Sequence, residues 1–327
     1  MTTLETDAVA TPSLPRLTGN EPFIVVHNRG SGRGDTDQVQ QTIRSVLAEG
    51  GRTCEILAVH GGEELLETAA AAVKQAQAEG GIVVAAGGDG TLNAVAQAVL
   101  GAGIPFGILP QGTFNYFGRA HGISQDTEQA ARCLLDARIR PVQVGLVNDR
   151  LFLVNASFGL YPKVLEDREQ FKQRYGRSRW VALWSALVTL MQAHRQLSVQ
   201  LELGEEVHRL RTPTVVVDNN ILQLEQMGIE EADDLKRNQL VAMAAKPVGS
   251  LALYGILFRG LASRLSEADN VLSFSFNRMT ARLGTRRRIK VAMDGEIFFL
   301  NSPLQFRVAE QRLPLLVPRT PAAEEQA

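Results

Sequence analysis

The sequence predicts an N-terminal α/β domain, built as a parallel sheet with crossover helices, followed by a C-terminal antiparallel β-sandwich with helical inserts. Two observations predict it. From Phe23 to Leu109, short β-branched runs alternate with segments of helical period, which is the pattern of parallel strands joined by helices. From about Arg140 that texture gives way to period-2 alternation, as in Val199, Leu201 and Leu203 against Ser198, Gln200 and Glu202, which marks antiparallel strands with one face inward. A chain of 327 residues is long enough for two such units, each with its own core.

The first strand is Phe23 to His27. A helix starting near Asp35 to Asp37 carries Val39, Ile43, Val46 and Leu47 on one face and stops at Gly50-Gly51. The strand Thr53 to Val59 and a helix from roughly Glu63 to Ala78 follow. The fully apolar run Ile82 to Ala86 has the composition of a central parallel strand. A third helix presents Leu92, Val95, Ala96, Val99 and Leu100 on one face, and Phe106 to Leu109 forms the next strand. Later strands are Val142 to Val147 and Leu151 to Asn155 around the turn Asn148-Asp149, then Thr214 to Val217, Ser273 to Phe276, Ile289 to Met293 and Ile297 to Leu300. Two helical inserts, Glu166 to Leu197 and Leu251 to Leu265, interrupt them. The expected division is a disordered leader over 1–20, the α/β domain over 21–140, the sandwich over 141–308 and a disordered tail over 319–327.

Composition narrows the function. The net charge is −1 and 45% of residues are apolar, which argues against nucleic acid as a partner and makes any basic surface local. Cys54 and Cys133 lack metal-ligand spacing and read as free thiols in a reducing compartment. The N-terminus lacks the basic start and apolar run of a signal peptide. The longest apolar stretch, Trp180 to Met191, is about half the ~20 residues of a membrane span, so the expectation is a cytoplasmic protein that meets a membrane only at its surface.

The chemistry concentrates in three loops at one sheet edge. Gly87-Gly88-Asp89-Gly90-Thr91 lies between the apolar strand and the next helix, where open parallel sheets bind ligands. Its glycines let the backbone approach an anion, with successive N–H groups and the positive helix end turned toward a phosphate, and Thr91 is placed to cap the helix. An acid among phosphates is repulsive unless it handles a metal ion or a proton, so Asp89 implies Mg²⁺ or general-base chemistry. Asn28-Arg29-Gly30-Ser31-Gly32 offers glycines, a hydroxyl and a guanidinium to a second phosphate. Gly112-Thr113-Phe114-Asn115 leaves the strand after it. The patterns GxxxxGK[ST] and GxGxxG are both absent.

Together these motifs resemble the catalytic domain shared by diacylglycerol kinases, sphingosine and ceramide kinases and many bacterial lipid kinases, within the wider superfamily that includes NAD kinases. The marks appear in order: N-x-x-S-G over Asn28 to Gly32, GGDGT over Gly87 to Thr91, P-x-GT-x-N-x-F over Pro110 to Phe117, and Asp294-Gly295-Glu296, followed by Pro303 to Phe306. The resemblance implies ATP with Mg²⁺ in the cleft between the domains. Its nucleotide contacts would be Asn28, Ser31, Gly32, Gly87, Gly88, Gly90, Thr91, Gly112, Thr113 and Asn115. Asp89, Asp294 and Glu296 would be the catalytic acids, with Asp89 and Asp294 as metal ligands. It also implies that the final segment, 309–318, returns to the first domain. Two positions depart from the family pattern: Tyr116 and Tyr161 stand where many members carry an acid.

The reading that follows is an ATP-dependent kinase of a diacylglycerol-like or other long-chain lipid alcohol. A kinase of a soluble hydroxyl compound, NAD-kinase-like, and an inactive nucleotide-binding regulator are the alternatives. The basic run Arg168 to Arg179, the apolar helix after it and Arg286-Arg287-Arg288 suit peripheral contact with an anionic membrane at its inner face. A homodimer is a candidate assembly. The scattered histidines carry no partner spacing and receive no role.

Overall fold

The computed structural model describes residues 14–30, 36–60, 62–112, 115–159, 196–245 and 271–319. In the first part β1 (Phe23–Asn28), α1 (Thr36–Glu49), β2 (Cys54–Val59), α2 (Gly62–Glu79), β3 (Ile82–Gly87), α3 (Asp89–Val99) and β4 (Phe106–Pro110) alternate as the periodicity requires. Two short helices, α4 (Tyr116–Ala120) and α5 (Thr127–Leu135), then lead to β5 (Ala137–Val142). The second part contains β6 (Gly145–Val147), β7 (Arg150–Phe152), β8 (Asn155–Gly159), β9 (Leu197–Leu203), β10 (Glu206–Thr212) and β11 (Thr214–Asp218). After α6 (Ile221–Gln226) and a 3₁₀ turn over Glu230–Arg237 come β12 (Leu240–Ala245), β13 (Val271–Phe276), β14 (Arg278–Arg282), β15 (Arg288–Met293), β16 (Glu296–Asn301), β17 (Leu304–Val308) and β18 (Leu313–Pro318).

The first sheet has the order β2-β1-β3-β4-β18-β5. Strands β1 to β4 pair in parallel, β18 adds in parallel to β4, and β5 closes the edge antiparallel to β18. The run Ile82–Gly87 is buried at every position, as its unbroken apolar sequence demands of a central strand. Helix α3 buries Leu92, Val95, Ala96 and Val99 against the sheet, while Leu100 becomes the C-cap. The other two sheets, β10-β9-β14-β17-β6-β7 and β13-β12-β11-β8-β15-β16, are antiparallel and face each other over Phe158, Leu201, Val215, Val217, Val291 and Phe306. An N-terminal α/β unit with a mainly parallel sheet, and a C-terminal unit of antiparallel sheets, is therefore the fold.

Some details differ from the sequence expectation. Val142 ends β5, and the Asn148-Asp149 turn, with φ of 45° and 64°, closes the shorter hairpin β6–β7. Residues 14–20 were expected to lie in a disordered leader, but Leu17 packs against the first core and the Thr18 hydroxyl donates to Glu21 at 3.0 Å. Both thiols are free and half-buried, and burial pushes each up to about 11. The basic run, the Trp180 helix, Tyr161 and the second insert lie outside the described residues. Among the described residues no helix is long and apolar enough to cross a membrane.

Leu315 of β18 is fully buried between Phe106 and Arg140, so Leu315→Ala should cost about 3 kcal/mol. The expected result is a clearly lowered urea midpoint, whereas Leu66→Ala, at a residue 55% exposed, should stay within about 0.5 kcal/mol of the parent.

Candidate active site

Strand β3 delivers Gly87 to the carboxyl edge of the sheet, and Gly88, in extended backbone, is the N-cap of α3. Asp89 is the first helical residue, so its carboxyl sits at the positive end of the helix dipole. Thr91 does not cap the helix. It lies buried in the first turn, and its hydroxyl accepts from Asn28 Nδ2 at 3.0 Å, while Asn28 Oδ1 accepts from Gly30 N–H at 2.9 Å. Asn28 thereby ties the first loop to the helix that carries the second.

The third loop is held as closely. Gln111 N–H donates to the Gly87 carbonyl at 2.8 Å, and a Cβ on Gly112 would lie 3.3 Å from Gly88 Cα and 2.7 Å from Asn115 Oδ1. Only glycine fits where the two loops meet. Asn115, expected as a nucleotide contact, braces this loop. It adopts left-handed backbone, is buried, and spends its amide on Gly112, accepting from its N–H at 2.9 Å and donating to its carbonyl at 3.0 Å. Thus Asn28, Gly87, Gly88, Asp89, Gly90, Thr91, Gly112 and Asn115 converge on one edge, while Ser31, Gly32 and Thr113 lie outside the described residues.

From the sandwich side the hairpin β15–β16 enters, turning at Asp294-Gly295 with φ of 47° and 87°. Asp294 Oδ2 accepts from Asn93 Nδ2 and from Leu153 N–H, each at 2.7 Å. Its Oδ1 accepts from Val154 N–H at 2.9 Å and Asn155 N–H at 3.1 Å. Burial pushes this carboxyl up and the four donors pull it back. Since every partner donates, the ionised carboxylate is the form the geometry fits. Its four acceptor positions are met by these donors, through which it joins α3 to the loop between β7 and β8. Glu296 reaches the site differently. A Cβ on Gly90 would lie 2.0 Å from its Oε1, so its carboxyl rests against the first turn of α3, where partial burial and then the Asp294 charge raise it.

Asp89 Oδ1 is buried without a partner, and burial, followed by the Asp294 charge, pushes the carboxyl up to about 6. A buried, unsatisfied carboxylate oxygen among helix N–H groups suits a cation carried on phosphates, or a proton taken from a hydroxyl. Among the described residues no group of three or more acid, histidine or cysteine side chains is arranged to hold a metal.

Several positioning residues escaped the sequence reading. Asn93 donates to Leu151 O at 2.8 Å as well as to Asp294, and one turn later Gln97 Oε1 accepts from Leu151 N–H at 2.6 Å. A polar pair four residues apart in an apolar helix was the available signal. Asn219 donates to Gln143 O and Leu153 O, and Asn220 to the Tyr116 carbonyl at 3.1 Å, so Tyr116 serves the interdomain contact through its backbone. His27 and Gln111 each keep one buried side-chain nitrogen unpartnered at this edge, and burial lowers the imidazole.

A family model described as the diacylglycerol kinase catalytic domain matches residues 22–147. An uncharacterised protein of Synechocystis, sll0036, is 23% identical over 92% of this chain and 70% of its own length. A protein of Pseudomonas aeruginosa named probable lipid kinase YegS-like is 47% identical over 28% of this chain, a match that spans 31% of that relative. A crystal structure described as a diacylglycerol kinase from Bacillus anthracis superposes with a TM-score of 0.67 at 17% identity, covering 92% of this chain and 98% of that one, and so shares its fold. Over residues 22–147 the chain thus resembles the diacylglycerol kinase catalytic domain, the stretch that holds the three loops.

Two variants separate working acids from scaffold. Asp294→Asn puts an amide against N–H donors, so at least one loses its acceptor, and the chain should lose about 2–4 kcal/mol in chemical unfolding. Asp89→Asn should do the opposite. The folded Asp89 holds its proton from its ordinary value of 3.8 up to about 6, so stability falls as pH rises through that window. At pH 7.5, without nucleotide, the asparagine variant should be more stable by up to about 3 kcal/mol and equal to the parent below pH 4.

Proposed function

We propose that this protein is an ATP-dependent kinase that transfers the γ-phosphate to the hydroxyl of a diacylglycerol-like or other long-chain lipid alcohol. The observation that carries this reading is the buried, unpartnered oxygen of Asp89 at the N-terminus of α3, enclosed by the glycine loops and faced by Glu296. The lipid-kinase likeness supports the acceptor class.

In this reading the N–H groups of the first turn of α3 receive phosphate oxygens, while the Gly112 N–H stays with Asn115 and shapes the loop beside them. Asp89 and Glu296 would hold Mg²⁺ together with those phosphates, and the ion would supply charge neutralisation. One of the two acids also takes the proton of the attacking hydroxyl. Asp294 does neither; it fixes the separation of Asp89 and Glu296 by pinning α3 to the β15–β16 turn. A lipid acceptor brings the enzyme to the cytoplasmic face of a membrane. Arg286, Arg287 and Arg288 are exposed beside this hairpin, with the Arg288 guanidinium 5.3 Å from the ring of Phe299, itself 56% exposed, and this suits an anionic surface.

The test is transfer of label from γ-labelled ATP with Mg²⁺ to lipid alcohols in mixed micelles. Labelled organic-phase product should form with the parent and fall at least ~100-fold in Asp89→Asn. Because the working form of Asp89 is ionised, turnover should decline as pH drops through about 6, with bound cation drawing that limb lower. Gly90→Ala offers a second check. Its methyl group can only displace the end of the Glu296 side chain, so the variant should fold like the parent and lose turnover; unchanged turnover would remove Glu296 from the mechanism.

A further inference from the structure

We propose that Ser157 and Asp218 form a polar subsite for the uncharged oxygens of the acceptor's headgroup, beside the hydroxyl that is phosphorylated. The proposal rests on the lipid-alcohol reading and adds the acceptor's chemistry to it.

Both residues are fully buried, and Ser157 Oγ and Asp218 Oδ2 have no hydrogen-bond partner. Buried polar groups nearly always find partners, because leaving one unmade costs about as much as several ordinary contacts contribute. Two such atoms on neighbouring strands call for an explanation. Pleat and register bring them together. On β8, Ala156 and Phe158 enter the sandwich core, as do Val215 and Val217 on β11, so Ser157 and Asp218 share the opposite face. Asp218 pairs with Asn155, and Ser157 with Val216, which makes the two polar residues diagonal neighbours.

The same register links them to the chemistry. Asn155 stands between Asp218 on β11 and the Asp294 turn on β15, so two strand spacings, roughly 10 Å, separate Asp218 from Asp294. That is the reach of a small polyol or ester headgroup. The other Asp218 oxygen is fixed by Asn220 N–H at 2.7 Å, which leaves Oδ2 as the available atom. Asn220 in turn holds the Tyr116 carbonyl, so the subsite is anchored to both sides of the cleft.

The class of ligand follows from charge. Complete burial drives the Asp218 carboxyl well above its usual range, the Asn220 and Asn219 N–H groups pull it back and the Asp294 charge adds to the rise, so the balance favours a neutral acid able to donate through its hydroxyl. A neutral acid beside a serine presents donors to hydroxyl, ester or ether oxygens. It disfavours a phosphate, which the neighbouring acids repel, and the Ser157–Asp218 pair itself offers an ammonium no ion-pair partner. The acceptor is therefore an uncharged, oxygen-rich alcohol of the acylglycerol type, in preference to a long-chain amino alcohol.

Steady-state transfer assays with a neutral diacylglycerol, a long-chain amino alcohol and ATP, each varied in turn, test the idea. Ser157→Ala should raise KM for the neutral acceptor about tenfold, leave KM for ATP unchanged and preserve the thermal midpoint. Ser157→Thr should recover most of the affinity. Asp218→Asn keeps the shape and a donor and should shift acceptor KM less than Asp218→Leu; if either fails to fold, the serine pair decides. Parent enzyme that phosphorylates the neutral lipid, beside a folded Ser157→Ala variant with unchanged acceptor KM, would overturn the subsite and leave the kinase reading standing. Preference for the amino alcohol in the parent would likewise overturn it. Parent enzyme that phosphorylates no lipid would sink the functional reading itself.

Discussion

The carboxylate of Asp294 is the point through which the two halves of the molecule are set against each other. It is buried, it sits on a turn that needs left-handed backbone at both central residues, and it accepts from α3 on one side and three successive backbone N–H groups on the other. A buried charge is tolerated only when such donors replace water. The arrangement is all or nothing: shift α3 relative to the sandwich and a charged group loses partners it cannot replace. Because the glycine loop is the N-terminus of that same helix, whatever fixes Asn93 fixes the loop.

The charge of Asp294 also reaches beyond its hydrogen bonds. Asp89, Asp218 and Glu296 are each raised first by burial and then by Asp294. One carboxylate whose lone pairs are met by four donors thus biases three neighbours toward taking a proton. The consequences differ with surroundings. Asp89, partly open to the cleft, is brought to about 6, where a small change in cation or pH switches its form; Asp218, fully buried, is pushed well above its usual range. Acids with separate protonation states in one cleft arise here from graded burial around a common charge.

Much of the architecture was legible because it rests on local periodicity. The unbroken run Ile82 to Ala86 required a central parallel strand, and alternation at Val199 to Leu203 required a half-buried antiparallel one. The three-loop convergence followed from where those strands end. The roles within the site were less legible, because they depend on register between segments far apart in sequence. Asp294 and Glu296 look equivalent as a pair of acids two residues apart. Only the hairpin, which sends one carboxyl to Leu153–Asn155 and the other to Gly90, separates them. The cap expected of Thr91 failed for a related reason, since a motif names the residue but not whether its polar atoms face a ligand or a neighbouring turn. Ser157 and Asp218 gave no local signal at all, being ordinary members of β-rich runs whose shared face appears only once β8 and β11 are paired.

Hydrogen-bond accounting sorts the polar residues of the cleft into two groups. Asn93, Asn115, Asn219, Asn220 and Asp294 meet their neighbours' groups directly, and removing any of them would strand a partner inside the protein. They are the frame. Asp89, Ser157 and Asp218 keep buried atoms unmet, and a fold stabilised by only several kcal/mol retains such groups where something outside the chain compensates them. The two groups adjoin along a single line, from the first turn of α3 through the Asp294 turn and Asn155 to the end of β11. The frame holds each open group at a set distance from the next, which is what a transfer between two bound molecules requires of the protein that positions them.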